Sequence, residues 1–158
     1  ICLVPEKREE RTTEGGLDVC NSIPKLTSFL EPFKQKNIKV SLFIEPSEKQ
    51  IDAAKVVGAD IIELHTGYFC DLYEGKDENY MEALKVLEKA ASYAQKLGLE
   101  VHAGHGLTTG SVGLISKIPE MTELNIGHAI ISDSIFMGLK GAVQLMKQKI
   151  KETRFQRI

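Results

Sequence analysis

The sequence predicts an α/β fold built on a parallel sheet, and three observations carry that prediction. Short apolar runs alternate five times with stretches of helical periodicity, no two runs stand close enough to pair as a hairpin, and every run ends in polar residues or glycine. Parallel neighbours need a long crossover, usually a helix, so this alternation implies β/α units in series. Two architectures satisfy it: a doubly wound open sheet with one main crevice, or a TIM (β/α)8 barrel that gathers all its strand C-termini into one mouth. The strand ends Pro5-Glu6, Glu45-Pro46, Glu63 to Thr66, Gly104-His105-Gly106 and Gly127-His128 are all polar or glycine-rich, which favours the barrel. A complete barrel has eight strands and typically about 250 residues. The 158 residues, read as a single domain, are therefore expected to supply about the last five β/α units, with roughly three more units before Ile1 in the parent protein.

Each element follows from local chemistry. Ile1-Cys2-Leu3-Val4-Pro5 is an apolar run broken by proline, a strand leading into a polar loop through Gly15-Gly16. Pro24 suits the first turn of a helix, and Leu26, Phe29, Leu30 and Phe33 recur at helical spacing up to Asn37. Lys39 to Ile44 is the second strand. Ser47 with Gln50 spells a capping box ahead of Ile51, Ala54 and Val57, and Gly58 stops that helix. Ile61 to His65 is the third strand, followed by a long loop from Thr66 to Asn79. Tyr80, Leu84, Leu87, Ala91 and Ala94 then form one helical stripe closed by Gly98. Leu99 to Ala103 is the fourth strand. A short helix around Val112 to Lys117 leads through Pro119 to Leu124–Ile131, the fifth strand and its exit. Along the last helix Ile135, Leu139, Ala142, Met146 and Ile150 share a face, and Ser132 and Ser134 are expected to cap it, with hydroxyl donation to a phosphate as the alternative.

Composition narrows the function classes. With 42% hydrophobic and 27% charged residues the chain reads as an ordinary soluble globular protein, and a formal charge of −2 offers no basic field for nucleic acid. No apolar run approaches the roughly 20 residues needed to cross a bilayer, and the first residues lack a basic region followed by an apolar stretch. No membrane partner is expected, and the cytoplasm is the expected location. Cys2, Cys20 and Cys70 are odd in number and widely spaced, which suggests neither a disulfide framework nor a metal site.

The chemistry concentrates where Val101-His102-Ala103 runs into Gly104-His105-Gly106-Leu107-Thr108. A histidine between glycines at a strand end presents an unhindered imidazole that moves protons near neutral pH, beside backbone a ligand can approach. Glu63 shares strand parity with Ile61 and His65, which points it into a barrel interior if Ile61 faces inward. A carboxylate there is costly unless it meets a donor or a cation. Both a cationic intermediate and a lysine or arginine from another strand would serve. His65 lies on the same face, outside the catalytic set. His102, of opposite parity to His105, is expected to face the helix layer or a strand neighbour. If the strands are the fourth to eighth of a barrel, Gly104-His105-Gly106 and Gly127-His128 fall where TIM barrels often hold a phosphate, near a helix N-terminus. Gly67 and Gly75 offer hinge points that would make the Thr66 to Asn79 loop a lid; a static surface loop is the alternative.

Five segments in one order, Ile1 to Arg8, Thr12 to Val19, Val40 to Ile44, Ala103 to Thr108 and Glu123 to Ile131, closely resemble the pyridoxine 5′-phosphate synthase family, and the likeness runs to about Lys147. The resemblance implies a TIM-barrel homo-oligomer that condenses 1-deoxy-D-xylulose 5-phosphate with 3-amino-2-oxopropyl phosphate, giving pyridoxine 5′-phosphate, phosphate and water without a cofactor or metal. It further implies that His105 is the proton donor and that Glu63 stabilises the transition state. By the same resemblance Gly106, Gly127 and His128 contact the amino-ketone phosphate, and Thr12 contacts the deoxyxylulose phosphate. His102 departs from the family pattern, where asparagine stands. The family's general bases, a histidine and a glutamate, and its phosphate-binding arginines are expected before Ile1. A truncated, non-catalytic phosphate-binding module and another phosphate-handling TIM-barrel synthase or isomerase remain as alternatives.

Overall fold

The computed structural model describes residues 1–5 and 15–154. In chain order the elements are β1 (Cys2–Leu3), a 3-10 turn (Cys20–Ser22), α1 (Ile23–Gln35), β2 (Ser41–Ile44), α2 (Glu48–Val57) and β3 (Ile61–His65). They continue with α3 (Gly67–Glu74), α4 (Tyr80–Lys96), β4 (Glu100–Gly104), α5 (Val112–Ser116), β5 (Met121–Asn125) and α6 (His128–Arg154). The five strands form one parallel sheet in the order β1-β2-β3-β4-β5. A doubly wound sheet reverses its order at a switch point, and this one does not. The order is sequential, compatible with part of a barrel, and α1, α2 and α4 share one face of the sheet.

The register divides the sheet into two chemically different faces. Leu42, Ile44, Ile62, Leu64, Val101 and Ala103 lie on one, all 1% exposed or less, and share a core with Leu26 and Leu30 of α1, Ile51, Ala54 and Val57 of α2, and Leu84, Leu87, Ala91 and Ala94 of α4. Parallel pairing sets Phe43 beside Glu63 and Glu63 beside His102, so these share the opposite face with Ser41, Ile61, His65, Gly104, Glu123 and Asn125. That face is polar. The parity argument for Glu63 therefore agrees with the structure.

The structure moves several elements. The 66–79 stretch is not a long loop: it holds α3, tied to the turn after β4 by Thr108 Oγ1 to Glu74 Oε1 (2.7 Å) and the Tyr73 hydroxyl to the Gly110 carbonyl (3.1 Å). Gly58 ends α2 as expected, at φ 80°, but Ser47 makes no side-chain cap bond. Its intended partner Gln50 instead accepts the N–H groups of Val19 and Cys20 and donates to Asp18. The fifth strand ends at Asn125, Ile126 and Gly127 link it to α6, and His128 to Ile131 belong to that helix. Ser134 thus lies inside the helix, bonding the Ile131 carbonyl, and caps nothing.

At Gly138 (φ 75°, ψ 153°) α6 breaks into 128–137 and 139–154. The whole element of 27 residues is long and apolar enough to cross a membrane by length and composition, with 11% of its most apolar stretch buried. The break leaves both parts shorter than the roughly 20 continuous helical residues a crossing needs. The expected apolar face splits accordingly: Ala142 and Met146 are buried, whereas Ile135 and Leu139 are exposed.

Candidate active site

All the chemistry collects where β3, β4 and β5 end. Beyond Gly104 the backbone turns left-handed at two successive residues, His105 and Gly106, both at φ 79°. The glycine takes this conformation freely; the histidine does so at a cost of about 1–2 kcal/mol. The neighbouring segment holds it there. Thr66 Oγ1 lies 2.7 Å from the Gly104 carbonyl oxygen and 2.5 Å from that of His105, and the Cys70 thiol lies 3.7 Å from the latter. Burial pushes the Cys70 thiol up to about 11, so it remains a neutral donor at neutral pH.

The reversal also explains His102. Alternation fails across a left-handed turn, so the parity of His105 says nothing about residues inside the strand. His102 lies on the polar face, not against the helices. It contacts strand neighbours, Glu100 Oε1 at 3.1 Å and Glu123 Oε1 at 3.6 Å.

His105 is half-buried, and burial first, then the neighbouring His65, holds its pKa below the ordinary histidine value. A weakly held proton makes a strong donor. Glu63 is 9% exposed, and burial raises its carboxyl above the ordinary carboxylate range. Its partners are the Cys2 thiol (Sγ to Oε2, 3.5 Å) and the Asn125 side-chain amide, which act against that rise. Two neutral donors stand against it in place of the lysine or arginine weighed from the sequence, and a buried carboxylate held without a cation gains most from one arriving with a ligand.

Gly127 and His128 begin α6. Ile131 donates its N–H to the Gly127 carbonyl at 3.0 Å, which makes Gly127 the cap. The N–H groups of the first helical turn have no partner within the helix and form an anion-attracting end. A cavity of about 410 Å³ joins these parts: Glu63, His105, Gly106, Gly127 and His128 line it with Phe43 and Asn125. Five of the six residues singled out from the sequence thus face one space. The sixth, Thr12, lies outside the described residues. Among the described residues, no group of three or more His, Cys, Asp or Glu side chains could hold a metal ion.

Sequence reading passed over Asn125, Phe43 and the Glu45–His65 pair, in which Glu45 Oε1 lies 2.8 Å from His65 Nδ1. Asn125 stands inside an apolar run that reads as strand. Glu45 was a strand-ending signal only, and its partnership with His65 is visible once β2 and β3 pair.

A family model described as pyridoxal phosphate biosynthesis protein PdxJ matches residues 1–152. The chain is 53% identical over 154 residues to the pyridoxine 5′-phosphate synthase of Sulfurihydrogenibium sp., covering 98% of this chain and 62% of that protein. It is 45% identical over 155 residues to the enzyme of that name from Cereibacter sphaeroides, with the same coverage. Against that of Coxiella burnetii it is 52% identical over 149 residues, 94% of this chain and 61% of the relative. The chain therefore spans about 62% of the length of the first of these relatives.

Proposed function

This chain belongs to the family of pyridoxal phosphate biosynthesis protein PdxJ, and from that premise we propose that it carries the proton-donating side of a pyridoxine 5′-phosphate synthase active site. The reaction is the condensation of 1-deoxy-D-xylulose 5-phosphate with 3-amino-2-oxopropyl phosphate to pyridoxine 5′-phosphate, phosphate and water. The observation that carries the reading is the single cavity shared by Glu63, His105, Gly106, Gly127 and His128.

Each wall has a task in that reaction. The N-terminal end of α6, with Gly127 and His128, receives the amino-ketone phosphate through unpartnered N–H groups. Gly106 lets the ligand approach the backbone. His105 donates a proton to a leaving oxygen, as imine formation expels water and ring formation expels phosphate; such a donor contributes typically about 10²–10⁴-fold. Glu63 opposes the positive charge of the protonated imine, and Thr12 contacts the second substrate.

The fold supporting this chemistry is a TIM barrel to which the five strands contribute consecutive members, with the polar face as its interior. The sequential parallel order and the placement of the cavity at the C-terminal strand ends support this. A cytoplasmic homo-oligomer is the proposed state. A second reading is that the 158 residues bind phosphorylated ligand without turning it over.

Incubation with both substrates, with detection of pyridoxine 5′-phosphate, separates the two. Product that falls about 10²-fold or more in His105→Asn supports turnover at this site. Ligand binding without product supports the binding module. Binding unaffected by substitutions at Glu63, His105 and His128 together would remove both.

A further inference from the structure

His65 is a buried titratable side chain next to the pocket that the proposed reaction does not use. A carboxylate only accepts, so the 2.8 Å contact of Glu45 Oε1 with Nδ1 places a hydrogen on that nitrogen. Nε2 is buried and has no hydrogen-bond partner among the described residues. Leaving a buried polar atom unpaired is costly, and its retention calls for a compensating role. The ring beside it is that of the proposed proton donor. The His65 and His105 centroids are 4.9 Å apart with planes at 58°, and Phe43 closes the third side, edge-on to His65 at 5.1 Å.

Gly67 makes this approach possible. A β-carbon there would sit 2.6 Å from His65 Nε2 and 3.1 Å from His105 Cδ2, so both imidazoles border the one gap left by the missing side chain. The same Glu45 oxygen also accepts the Gly16 N–H at 2.8 Å, anchoring the pair to the segment after β1.

We propose that His65, fixed by Glu45, is a positioning residue for His105: it props the donor ring in the pocket and sets the polar surroundings of that ring's nitrogens. The inference rests on the reading of His105 as the proton donor. The groups facing His105 are His65 and Glu63 from β3, Glu45 from the end of β2, Asp71 and Cys70 from α3, and His128 from α6. Burial, His65 and His128 weaken proton binding at His105, and Asp71 and Glu45 oppose them.

The test follows the His105 ring by NMR through a pH titration of the 158-residue chain and two variants. His65→Phe keeps a ring in the slot and removes both nitrogens, so His105 remains buried but loses its imidazole neighbour. His105 is expected to bind its proton about threefold or more tightly in this variant. Superimposable His105 curves in wild type and a folded His65→Phe chain would overturn the proposal, since a mere packing role leaves them alike. If that variant does not fold, His65→Gln carries the same expectation and the same contrary result. Glu45→Ala, at an exposed position, is expected to abolish the Nδ1–H preference of His65 in long-range ¹⁵N spectra; an unchanged tautomer contradicts the anchoring. None of these readouts needs substrate. Failure of the synthase reading would show as absence of product while the His65–His105 coupling persists.

Discussion

The carboxylate of Glu63 occupies the space where Gly104 would carry a side chain. The two stand on adjacent parallel strands, His102 opposite Glu63 and Gly104 two positions further on. A β-carbon at 104 would collide with Glu63 Oε1 and lie 3.0 Å from the Asn125 carbonyl oxygen and 3.1 Å from its Cβ. The glutamate can swing aside, but the β5 backbone cannot. Gly104→Ala is expected to cost about 1–3 kcal/mol in urea denaturation and to turn Glu63 out of the pocket in a crystal structure. Unchanged stability with Glu63 in place would contradict this packing.

Glu63 should trade stability for function. Its folded pKa lies above the unfolded one because burial penalises the charged form. The folded state therefore binds more protons between the two values, and stability falls as pH rises through that window. Glu63→Gln is expected to raise neutral-pH stability by about 1 kcal/mol while lowering activity, with the gain disappearing below the ordinary glutamate pKa. Denaturation curves at acid and neutral pH check this; a variant less stable than wild type at neutral pH would show that the carboxylate is satisfied as an anion.

Much of this arrangement was legible from residue order alone. Gly58 and Gly98 marked helix ends correctly because a left-handed residue there has few alternatives to glycine. Glu63 faced the right way because strand parity is a strict geometric rule. Legibility failed where tertiary contacts or unusual backbone decide. Nothing local shows that Gln50 bonds Val19 rather than Ser47, or that α6 starts at His128, capped by Gly127 without a Ser or Asp. Of the two surroundings expected for His102, the strand neighbour holds and the helix layer does not, because the positive φ of His105 resets the alternation. The α3 helix was hidden by the glycines at its two ends, which read as loop.

His105 supplies a pH signature of its own. Its folded pKa is depressed, chiefly by burial, so its contribution to stability is present above the unfolded value and lost as pH falls through the folded one. His105→Gln is expected to flatten that part of the acid-stability curve. In turnover, a donor must be protonated, and kcat/KM is expected to decline with rising pH from a point below the ordinary histidine value. A decline centred above that value would assign the donor elsewhere.

Gly127 gives a clean separation of binding from stability. A β-carbon there meets nothing within 4 Å, so alanine is tolerated by the fold while its methyl sits at the wall of the cavity. Gly127→Ala is expected to change stability by no more than about 0.5 kcal/mol and to weaken phosphate binding about tenfold, a loss of about 1.4 kcal/mol. Calorimetry with inorganic phosphate and a melting curve measure the two; equal phosphate affinity would displace the anion from the start of α6.

The central claim is that the ends of β3, β4 and β5 and the start of α6 form one site for a phosphorylated amino ketone. Backbone and histidine-ring NMR of the 158-residue chain, titrated with 3-amino-2-oxopropyl phosphate, tests it most directly. The prediction is one saturating event in which the Gly106, Gly127 and His128 amides and the His105 ring shift together, with loss of that response in His128→Ala. Shifts confined to another surface, or a His105 ring indifferent to saturating ligand, would contradict it.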